Sequence, residues 1–535
     1  MNILLIKICM CILITNLFAY IPKKLELSGS SKLAKKNYTQ SDRIASNTII
    51  DIAMLNDSLY LFGTAGGLSH AEIISYDSIY WGYFNNTKMP RGGNPALVTN
   101  NNYIAVSGVI DTSTITGIEP KGTGIAYSRD YGKNWNFISQ PIDQIPLLGG
   151  YHSITWGGKE VNALAVTTKI NNVSYDLAIH DSYVYSASWA GGLRRYPIGL
   201  MNDNNREWEI IPLPRDDDLN LYCNNLDTSY YLNPRDPDDG GFHNHKAFSI
   251  YIHDDIIWVG TAAGINKGII NGNCIDWIAH YSSWRNNISG DWVIGFTHQE
   301  FENTTRIWAI TWSANSQGEF SALSYTDDDG NNWKTTQPAG FSEKVYNIFS
   351  YNEKIWAATE SGLYVSKNGI YWEKYNRPQL YNGEQLFSES TLAVFFSNIN
   401  NWLWVGTEDG IGISNDDGNN WIIHRFWEKN DIDTKNIISA YPNPFFINDY
   451  NQVNSNGYVR FLFSNPNSYN GNIHIFDFSM DKVVELNNPY MVNNIESEAI
   501  WNGRNEHGNK VANGVYFCRL SLNGEYFWTK LVIIN

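Results

Sequence analysis

Carboxylates and imidazoles are concentrated in one polar stretch of the chain, residues 215–246. Their oxygen and nitrogen atoms are of the kind that coordinate divalent cations, and an Asp-rich set suits calcium, although the spacing does not match an EF-hand loop. The residues that would hold the ion are Asp236, Asp238, Asp239, His243 and His245. The alternative interpretation is a solvated acidic loop that needs no cofactor.

A second group of residues has the chemistry of carbohydrate recognition. Tryptophan rings stack on sugar faces, and carboxylates or guanidinium groups hydrogen-bond to hydroxyls. The predicted binding residues are Trp189, Arg194, Arg195, Trp312, Glu360 and Glu408. A pair of carboxylates can also hydrolyse glycosidic bonds. Glu360 and Glu408 follow Thr359 and Thr407 at equivalent points of a repeat, however, and the repeat alone explains their equivalence.

Three octapeptides share one pattern, with Ser or Thr first, Asp third, Gly fifth and Trp eighth: SRDYGKNW (128–135), TDDDGNNW (326–333) and SNDDGNNW (414–421). We call them the octapeptide turns. The carboxylate can accept backbone N–H bonds inside a turn, Gly permits positive φ, and Trp anchors the returning strand. The residues that we expect to be structural are Asp130, Trp135, Asp328, Trp333, Asp416 and Trp421.

The elements that position these residues are short apolar strands that recur along the chain. Seven segments of this kind end at Thr64, Ser107, Ser188, Thr261, Thr311, Thr359 and Thr407. Most of the steps between them match the roughly 40–50 residues of a four-stranded propeller blade. The spacing therefore predicts an all-β chain with a seven-bladed β-propeller over residues 48–427.

The octapeptide turns resemble the Asp-box, or BNR repeat, of sialidase-type and related β-propellers. In that family the box is a structural hairpin turn. Sialidases also use an Arg-Ile-Pro type motif, which this chain lacks, and xyloglucanase-like relatives use two propellers where this chain has room for one. Photosystem-assembly propellers, which carry Asp-boxes as well, are a weaker resemblance.

The C-terminal part carries a second resemblance, in the segments YPNPF (441–445), IHIFDFSMDKV (473–483) and WNGRNEHGNKVANGVYF (501–517). They resemble the Ig-like domain shared by FlgD-like proteins and type IX secretion (T9SS type A) sorting signals. Asn502 and Asn505 replace acids of the family pattern. The resemblance implies a β-sandwich over residues 441–535, after a linker at 428–440, that engages bacterial secretion machinery.

The N-terminus and the composition indicate the compartment. Residues 1–19 have the charged start and apolar run of a secretory signal peptide, and residues 20–47 would be a polar leader. No later segment is long and apolar enough to span a bilayer. A net charge of −16 argues against nucleic acid as a partner. After cleavage only Cys223, Cys274 and Cys518 remain, so one Cys223–Cys274 bridge is possible.

Strand direction assigns the two faces of the propeller. Strands alternate in direction, so the octapeptide turns lie on one face, and insertions at 109–122, 140–175 and 214–248 would project from the other. In propellers that other face usually binds ligands, although Trp189 and Trp312 would alternatively fill the channel mouth. The sequence predicts a secreted or cell-surface protein that binds a polysaccharide or an extracellular protein. A secreted sialidase- or xyloglucanase-like glycoside hydrolase is the alternative.

Overall fold

The computed structural model describes residues 44–534, except 77, 116, 144–149, 171, 200–205, 228, 303, 315, 381–384, 387, 389, 426–437, 442, 448–457, 466, 468, 488 and 492–495. The predicted signal peptide, the leader up to residue 43 and most of the predicted linker lie outside the described residues. Residues 44–47 belong to the folded body, because the Ile44 side chain is buried and the Ala45 N–H donates to Ser69 Oγ at 2.9 Å.

Seven four-stranded antiparallel sheets, numbered here in chain order, account for most of the described residues from 49 to 424. Sheet 1 comprises β1 (Ile49–Asn56), β2 (Leu59–Thr64), β3 (Gly67–Ser75) and β4 (Ser78–Tyr83). Sheet 2 comprises β5 (Leu97–Asn100), β6 (Tyr103–Thr114), β7 (Gly117–Ser128) and β8 (Trp135–Ile138). A hairpin follows, formed by β9 (Tyr151–Trp156) and β10 (Lys159–Leu164).

Sheet 3 comprises β11 (Asp176–His180), β12 (Tyr183–Ser188), β13 (Gly192–Pro197) and β14 (Glu209–Ile211). A short strand, β15 (Tyr231–Leu232), precedes sheet 4. Sheet 4 comprises β16 (Ala247–His253), β17 (Ile256–Thr261), β18 (Gly264–Asn271) and β19 (Cys274–Tyr281). Short helical turns lie at Cys223–Asn225, Pro237–Asp239, His243–His245 and Ser283–Asn286.

Sheet 5 comprises β20 (Trp292–Phe301), β21 (Thr304–Trp312), β22 (Ala322–Thr326) and β23 (Lys334–Thr336). Sheet 6 comprises β24 (Val345–Tyr351), β25 (Lys354–Thr359), β26 (Gly362–Ser366) and β27 (Trp372–Lys374). Sheet 7 comprises β28 (Thr391–Ser397), β29 (Trp402–Thr407), β30 (Gly410–Ser414) and β31 (Ile422–His424).

The seven sheets form a closed ring. In each sheet the strands pair in sequence order, and the first strand of each sheet contacts the first strand of the next, with β1 contacting both β5 and β28. All four strands of each of these sheets are consecutive in the chain, so within the described residues sheet 7 and sheet 1 share no strand and are joined mainly by side chains. Tyr60 stacks on Trp404 with ring centroids 4.6 Å apart, and its hydroxyl donates to Ser397 Oγ at 2.7 Å. This arrangement is a β-propeller.

The second strands of the sheets confirm the predicted apolar segments. Strands β2, β17, β25 and β29 end at the expected threonines. Every residue of β29 is buried, because neighbouring sheets cover both of its faces. The terminal hydroxyl then builds the turn: Thr407 Oγ1 donates to the Gly410 carbonyl at 3.1 Å and accepts the Asp409 N–H at 2.9 Å.

The insertions differ from the prediction. Residues 109–122 extend the β6–β7 ladder as one continuous hairpin. Residues 140–175 and 214–248 do not simply project as loops. They contribute β9, β10 and β15 to a separate three-stranded sheet, in which β10 and β15 are parallel. We call it the accessory sheet. Leu221 pairs with Trp277 on the outer strand of sheet 4, and buried apolar side chains hold the insertions against sheets 3 and 4.

A disulfide between Cys223 and Cys274 fixes the insertion at residues 214–248, with the two Cα atoms 6.2 Å apart. The bridge connects this insertion to the start of β19, at the outer edge of sheet 4. Gly157, in the β9–β10 turn, lies against both sulfur atoms with φ of +57°, so a side chain there would collide with Cys223. The possible bridge of the sequence analysis is therefore confirmed.

The C-terminal unit contains two sheets around one core. The first sheet comprises, in spatial order, β32 (Ile438–Tyr441), β34 (Val459–Ser464), β38 (Glu496–Trp501) and β37 (Tyr490–Met491). The second comprises β33 (Phe445–Phe446), β40 (Glu525–Ile534), β39 (Gly514–Leu522), β35 (Gly471–Phe476) and β36 (Lys482–Asn487). Phe461 and Trp501 of the first sheet share a buried cluster with Leu520 of the second. The unit starts at Ile438, three residues before the predicted boundary. No helix in the described ranges has the length and apolar character needed to cross a bilayer.

Candidate functional site

The octapeptide turns define the lower face of the ring. In the third turn, Asp416 Oδ1 accepts from Ser414 Oγ at 2.9 Å and from the Asn420 N–H at 2.8 Å, while Gly418 has φ of +84°. The first and third residues of the other two turns make the same contacts. Hydrogen bonds from the Asn at the seventh position lower the pKa of each turn aspartate. The carboxylates of Asp130, Asp328 and Asp416 therefore accept hydrogen bonds from groups within their own turns.

The turn tryptophans are core residues to different degrees. Trp333 and Trp421 are buried, as predicted. Trp135 is only half-buried and meets Phe84 edge-on with ring centroids 5.2 Å apart. The predicted anchoring role therefore applies fully to two of the three rings.

The opposite face, which carries the turns after the second strands, is called the upper face. Trp312 was predicted to bind there, and this prediction is wrong. The side chain is 1% exposed, and its indole N–H donates to the Val345 carbonyl at 2.8 Å. Trp312 is a packing residue between sheets 5 and 6, because it ends a strand that its neighbours cover completely.

Trp189 is half-buried at the upper face and is the more accessible of the two predicted tryptophans. One side of its ring packs against Phe248, with centroids 5.3 Å apart, and it meets Trp292 edge-on. The Lys246 ammonium lies 4.9 Å from the ring centroid. A cation–π contact already uses part of the ring that a sugar would need.

Arg194 and Arg195 are buried in β13 and do not line the upper face. Arg194 Nη2 pairs with Asp143 Oδ1 at 2.9 Å, so it fixes the insertion at residues 140–175 to sheet 3. Arg195 Nε pairs with Glu209 Oε2 at 2.7 Å, and its guanidinium lies 4.6 Å from the Tyr183 ring centroid. Their predicted binding role is wrong, because both charges are buried and already paired, Arg194 with the insertion and Arg195 within the sheet.

The predicted metal ligands do not converge. Among the described residues, Asp236, Asp238, Asp239, His243 and His245 form no group whose ligand atoms meet around one point. Asp236 instead caps a short helical turn by accepting the Asp238 N–H at 3.1 Å. Lys246 Nζ lies 2.9 Å from His243 Nδ1, and burial followed by this ammonium lowers the pKa of His243. A cation in the position where a metal ion would sit opposes metal binding.

Two glutamates come together at the upper end of sheet 6. Glu360 accepts from the Lys344 N–H and from the Tyr346 hydroxyl, each at 3.3 Å. Glu343 is 6% exposed, and burial raises its pKa, with the Glu360 charge adding to the rise. Sequence reasoning missed Glu343 because it lies in a connection without a motif. Its burial makes it a support for the sheet 6 turn rather than a group that meets ligand.

A second acidic pair, Asp291 and Glu319, joins the connection before sheet 5 to the long turn inside sheet 5. The Ser283 hydroxyl lies 3.0 Å from Asp291 Oδ2 and 3.1 Å from Glu319 Oε1. Burial raises the pKa of Asp291 to about 6, and the hydrogen-bonded Glu319 carboxyl contributes to the rise.

Glu408 is half-buried at the corresponding turn of sheet 7, and its carbonyl lies 3.5 Å from Thr48 Oγ1. The next residue, Asp409, faces the C-terminal unit and belongs to a buried ionic quartet. The ring supplies Asp409 and Arg425, and the C-terminal unit supplies Arg460 and Glu498.

Each arginine of the quartet bridges both acids. Arg425 Nη2 lies 3.2 Å from Asp409 Oδ2 and its Nη1 lies 3.4 Å from Glu498 Oε2. Arg460 contacts Asp409 and lies 3.2 Å from Glu498 Oε1 through Nε. The four side chains are at most 7% exposed. The C-terminal unit therefore docks on the upper face at sheet 7.

A cavity of about 390 Å³ opens between sheets 6 and 7 beside this docked unit. Its lining combines hydroxyl groups, an aromatic ring and two cationic side chains. The polar and aromatic lining residues are Ser361, Lys374, Tyr375, Asn376, Arg377, Ser388, Thr391, Thr407 and Trp421. The Tyr375 hydroxyl donates to Asp417 Oδ1 at 2.9 Å, which fixes the ring. Sequence reasoning placed Glu360 next to this cavity but did not identify Lys374 or Arg377.

Comparisons with solved structures find β-propellers. The WD40 propeller domain of Doa1 is 12% identical, covering 69% of this chain and 93% of its own, with a TM-score of 0.37. YCF48 bound to a D1 peptide is 10% identical over 72% and 94%, with a TM-score of 0.38. PorZ, a surface component of the type IX secretion system of Porphyromonas gingivalis, is 11% identical over 91% and 82%, with a TM-score of 0.33. No family model and no curated protein matches. These likenesses are too distant to carry function, and the ring of sheets itself shows the fold.

Proposed function

We propose that this chain is a secreted or cell-surface seven-bladed β-propeller that binds an acidic polysaccharide at its upper face. Its Asp-box turns are structural, and its Ig-like C-terminal domain serves export through bacterial secretion machinery. The observation that carries the binding proposal is the cavity between sheets 6 and 7. Its volume of about 390 Å³ lies in the range of small-ligand sites.

The lining chemistry favours a sugar with a carboxylate or sulfate. Serine and threonine hydroxyls can exchange hydrogen bonds with sugar hydroxyls, and the Tyr375 ring offers an aromatic surface. Lys374 is exposed, and Arg377 is half-buried at the same cavity. Two cations beside one cavity stand out on a chain whose net charge is −16. An anionic ligand would be attracted there and repelled by most of the remaining surface.

Binding is favoured over hydrolysis because of how the carboxyls are placed. The Asp291–Glu319 pair lies outside the cavity lining, and Glu343 is buried. Glu360 is held by a backbone N–H and a tyrosine hydroxyl. A glycoside hydrolase remains the second candidate function, since Glu360 lies immediately before Ser361 of the cavity lining.

Purified full-length protein is tested against neutral, uronate-containing and sulfated polysaccharides, with binding and release of reducing sugar followed in parallel. We expect binding of acidic chains only, weakened about tenfold or more by Lys374→Glu, since the reversal replaces attraction by repulsion. Lys367→Glu is the matched control, because Lys367 is exposed on the same sheet at the lower face. Equal loss in both variants, or no binding at all, would refute the proposal. Reducing-sugar release abolished by Glu360→Gln would favour the hydrolase.

The export role has its own test. A chain that lacks residues 438–535, from the first strand of the C-terminal unit onwards, is expressed beside the full chain in a host that has type IX secretion. We expect the truncated chain to be retained inside the cell envelope. Normal delivery of the truncated chain to the surface or medium would contradict the export role without affecting the binding proposal.

A further inference from the structure

A histidine and two aspartates meet on the lower face, and none of them is among the metal ligands that the sequence predicted. His180 and Asp181 lie where β11 turns into β12, and Asp255 lies in the equivalent turn of sheet 4. His180 Nε2 is 3.4 Å from Asp181 Oδ2 and 3.5 Å from Asp255 Oδ1. All three ligand atoms lie within 4.8 Å of one another.

The imidazole nitrogen at the centre of this group is buried without a hydrogen-bond partner among the described residues. His180 Nε2 has essentially no contact with solvent and makes no hydrogen bond to a protein atom within the described residues. Both of its neighbours are carboxylate oxygens, beyond normal hydrogen-bond distance. A desolvated nitrogen that faces two acceptors at this distance leaves room for a cation between them.

The backbone holds the three residues in place. His180 ends a paired strand opposite Tyr183, and the Ile179 carbonyl just before it accepts from Asn100 of sheet 2 at 2.9 Å. The Asp255 carbonyl accepts the Ile270 N–H at 2.8 Å. The inner strands of sheets 3 and 4 are linked as well, because Asp176 Oδ2 accepts the Ile250 N–H at 2.9 Å. A metal ion would therefore meet ligands on rigid turns.

The ligand set, one imidazole and two carboxylates, favours a zinc-type ion, and the two distances agree with it. Zinc binds imidazole nitrogen and carboxylate oxygen at about 2.0–2.2 Å, and tetrahedral angles then separate two ligand atoms by about 3.4 Å. Magnesium has similar bond lengths but requires octahedral angles, which bring ligand atoms to about 3 Å, and calcium takes six to eight oxygen ligands. The observed 3.4 and 3.5 Å match the tetrahedral case.

We propose that His180, Asp181 and Asp255 form a binding site for a four-coordinate divalent cation of the zinc type that links sheets 3 and 4 on the lower face. Both carboxylates are largely exposed, so the fourth position is open to water. The two aspartates balance the charge of the ion. This proposal stands independently of ligand binding at the upper face.

The test is zinc titration of metal-stripped full-length protein by calorimetry, with metal content measured after dialysis. We expect one strong site per chain, weakened at least about tenfold by Asp255→Asn and by Asp181→Asn, because each removes one charged ligand. Asp254→Asn is the matched control: Asp254 lies in the same turn and is exposed, but it approaches His253 rather than His180. Both Asn substitutions preserve side-chain size at exposed turns, so folding is retained.

Cobalt(II) gives an independent reading, because a tetrahedral site produces intense visible absorption bands. We expect these bands in the wild type and in Asp254→Asn, and their loss in Asp255→Asn. Zinc affinity that is unchanged in Asp181→Asn and Asp255→Asn would overturn the proposal. A loss in Asp254→Asn as large as in Asp255→Asn would overturn it too, since it would place the ion at His253.

Discussion

At the scale of the residue, the octapeptide turns show how one carboxylate organises a hairpin. In each turn the aspartate accepts from a hydroxyl two residues before it and from a backbone N–H four residues after it. The glycine and the residue before it both have positive φ, as at Tyr131 and Gly132. The side chain therefore satisfies backbone groups that no strand can reach.

Removing that carboxylate is expected to destabilise the ring. Asp130→Ala should lower the free energy of unfolding by about 1–2 kcal/mol, because a backbone N–H and the Ser128 hydroxyl lose their acceptor. Urea denaturation followed by tryptophan fluorescence measures the change. Lys133→Ala, an exposed change in the same turn, is the control. Equal stability of the two variants would contradict the structural role.

The Asp291–Glu319 pair predicts a dependence of stability on pH. The folded pKa of Asp291 is about 6, above its ordinary value of 3.8. The folded chain thus holds the proton more tightly, so the stabilisation is complete below about pH 4 and is lost as the pH rises through 6. Between pH 5 and pH 8 we expect this aspartate to contribute a decrease of about 1–2 kcal/mol, against the opposite contributions of His245 and His424, whose pKa values burial lowers to about 4.

Thermal unfolding of the wild type and Asp291→Asn across pH 5–8 tests this expectation. The asparagine amide can donate permanently to Glu319 and does not titrate, so the stability of the wild type relative to this variant should fall by about 1–2 kcal/mol between pH 5 and pH 8. Asp217→Asn, at a highly exposed aspartate, should keep the wild-type profile. Identical pH profiles for the wild type and Asp291→Asn would contradict the raised pKa of Asp291.

At the scale of the element, the accessory sheet was the least predictable part of the fold. Apolar strands that end in threonine are visible in the sequence because neighbouring sheets bury both of their faces. Strand β15 has only two residues and pairs in parallel with β10, about seventy positions earlier in the chain. No local sequence pattern therefore predicts it. The same reasoning explains the failure at Arg194 and Arg195, whose partners Asp143 and Glu209 are supplied by other segments.

The disulfide is expected to stabilise this insertion. Its cysteines are separated by 51 positions, and closing a loop of that size contributes about 2–4 kcal/mol. The double variant Cys223→Ser with Cys274→Ser should therefore unfold at lower temperature by scanning calorimetry. A reducing agent should reproduce the shift in the wild type and have no effect on the double variant. Equal melting of oxidised and reduced wild type would contradict this contribution.

At the scale of the whole molecule, the ionic quartet sets the relation between the ring and the C-terminal unit. The ring and the C-terminal unit each contribute one arginine and one acid, so each part contains a neutral ion pair before the two dock. Burying charged pairs adds little affinity, since desolvation offsets the attraction. Four interlocking charges do define one orientation, because any other placement leaves a buried charge without its partner. No sequence pattern predicts this contact, since it joins residues of the ring to residues of the C-terminal unit.

Charge reversal is expected to undock the C-terminal unit. Glu498→Lys places three cations beside Asp409, and Asp409→Lys makes the equivalent change from the ring side. Small-angle X-ray scattering should report a larger radius of gyration for both variants. Glu525→Lys, an exposed change in the β39–β40 turn, should scatter like the wild type. Compact scattering from both quartet variants would show that other contacts fix the two parts.

The joining of sheet 7 to sheet 1 by side chains alone has a consequence for synthesis. Among the described residues the two ends of the ring share no strand, so the ring closes only when sheet 7 is made and Trp404 packs on Tyr60 and Phe62. A chain emerging from its N-terminus exposes the aromatic flank of sheet 1 for more than three hundred residues of synthesis. The nascent chain therefore carries an uncovered apolar surface for most of its production, and its solubility during that time depends on a chaperone or on delayed folding.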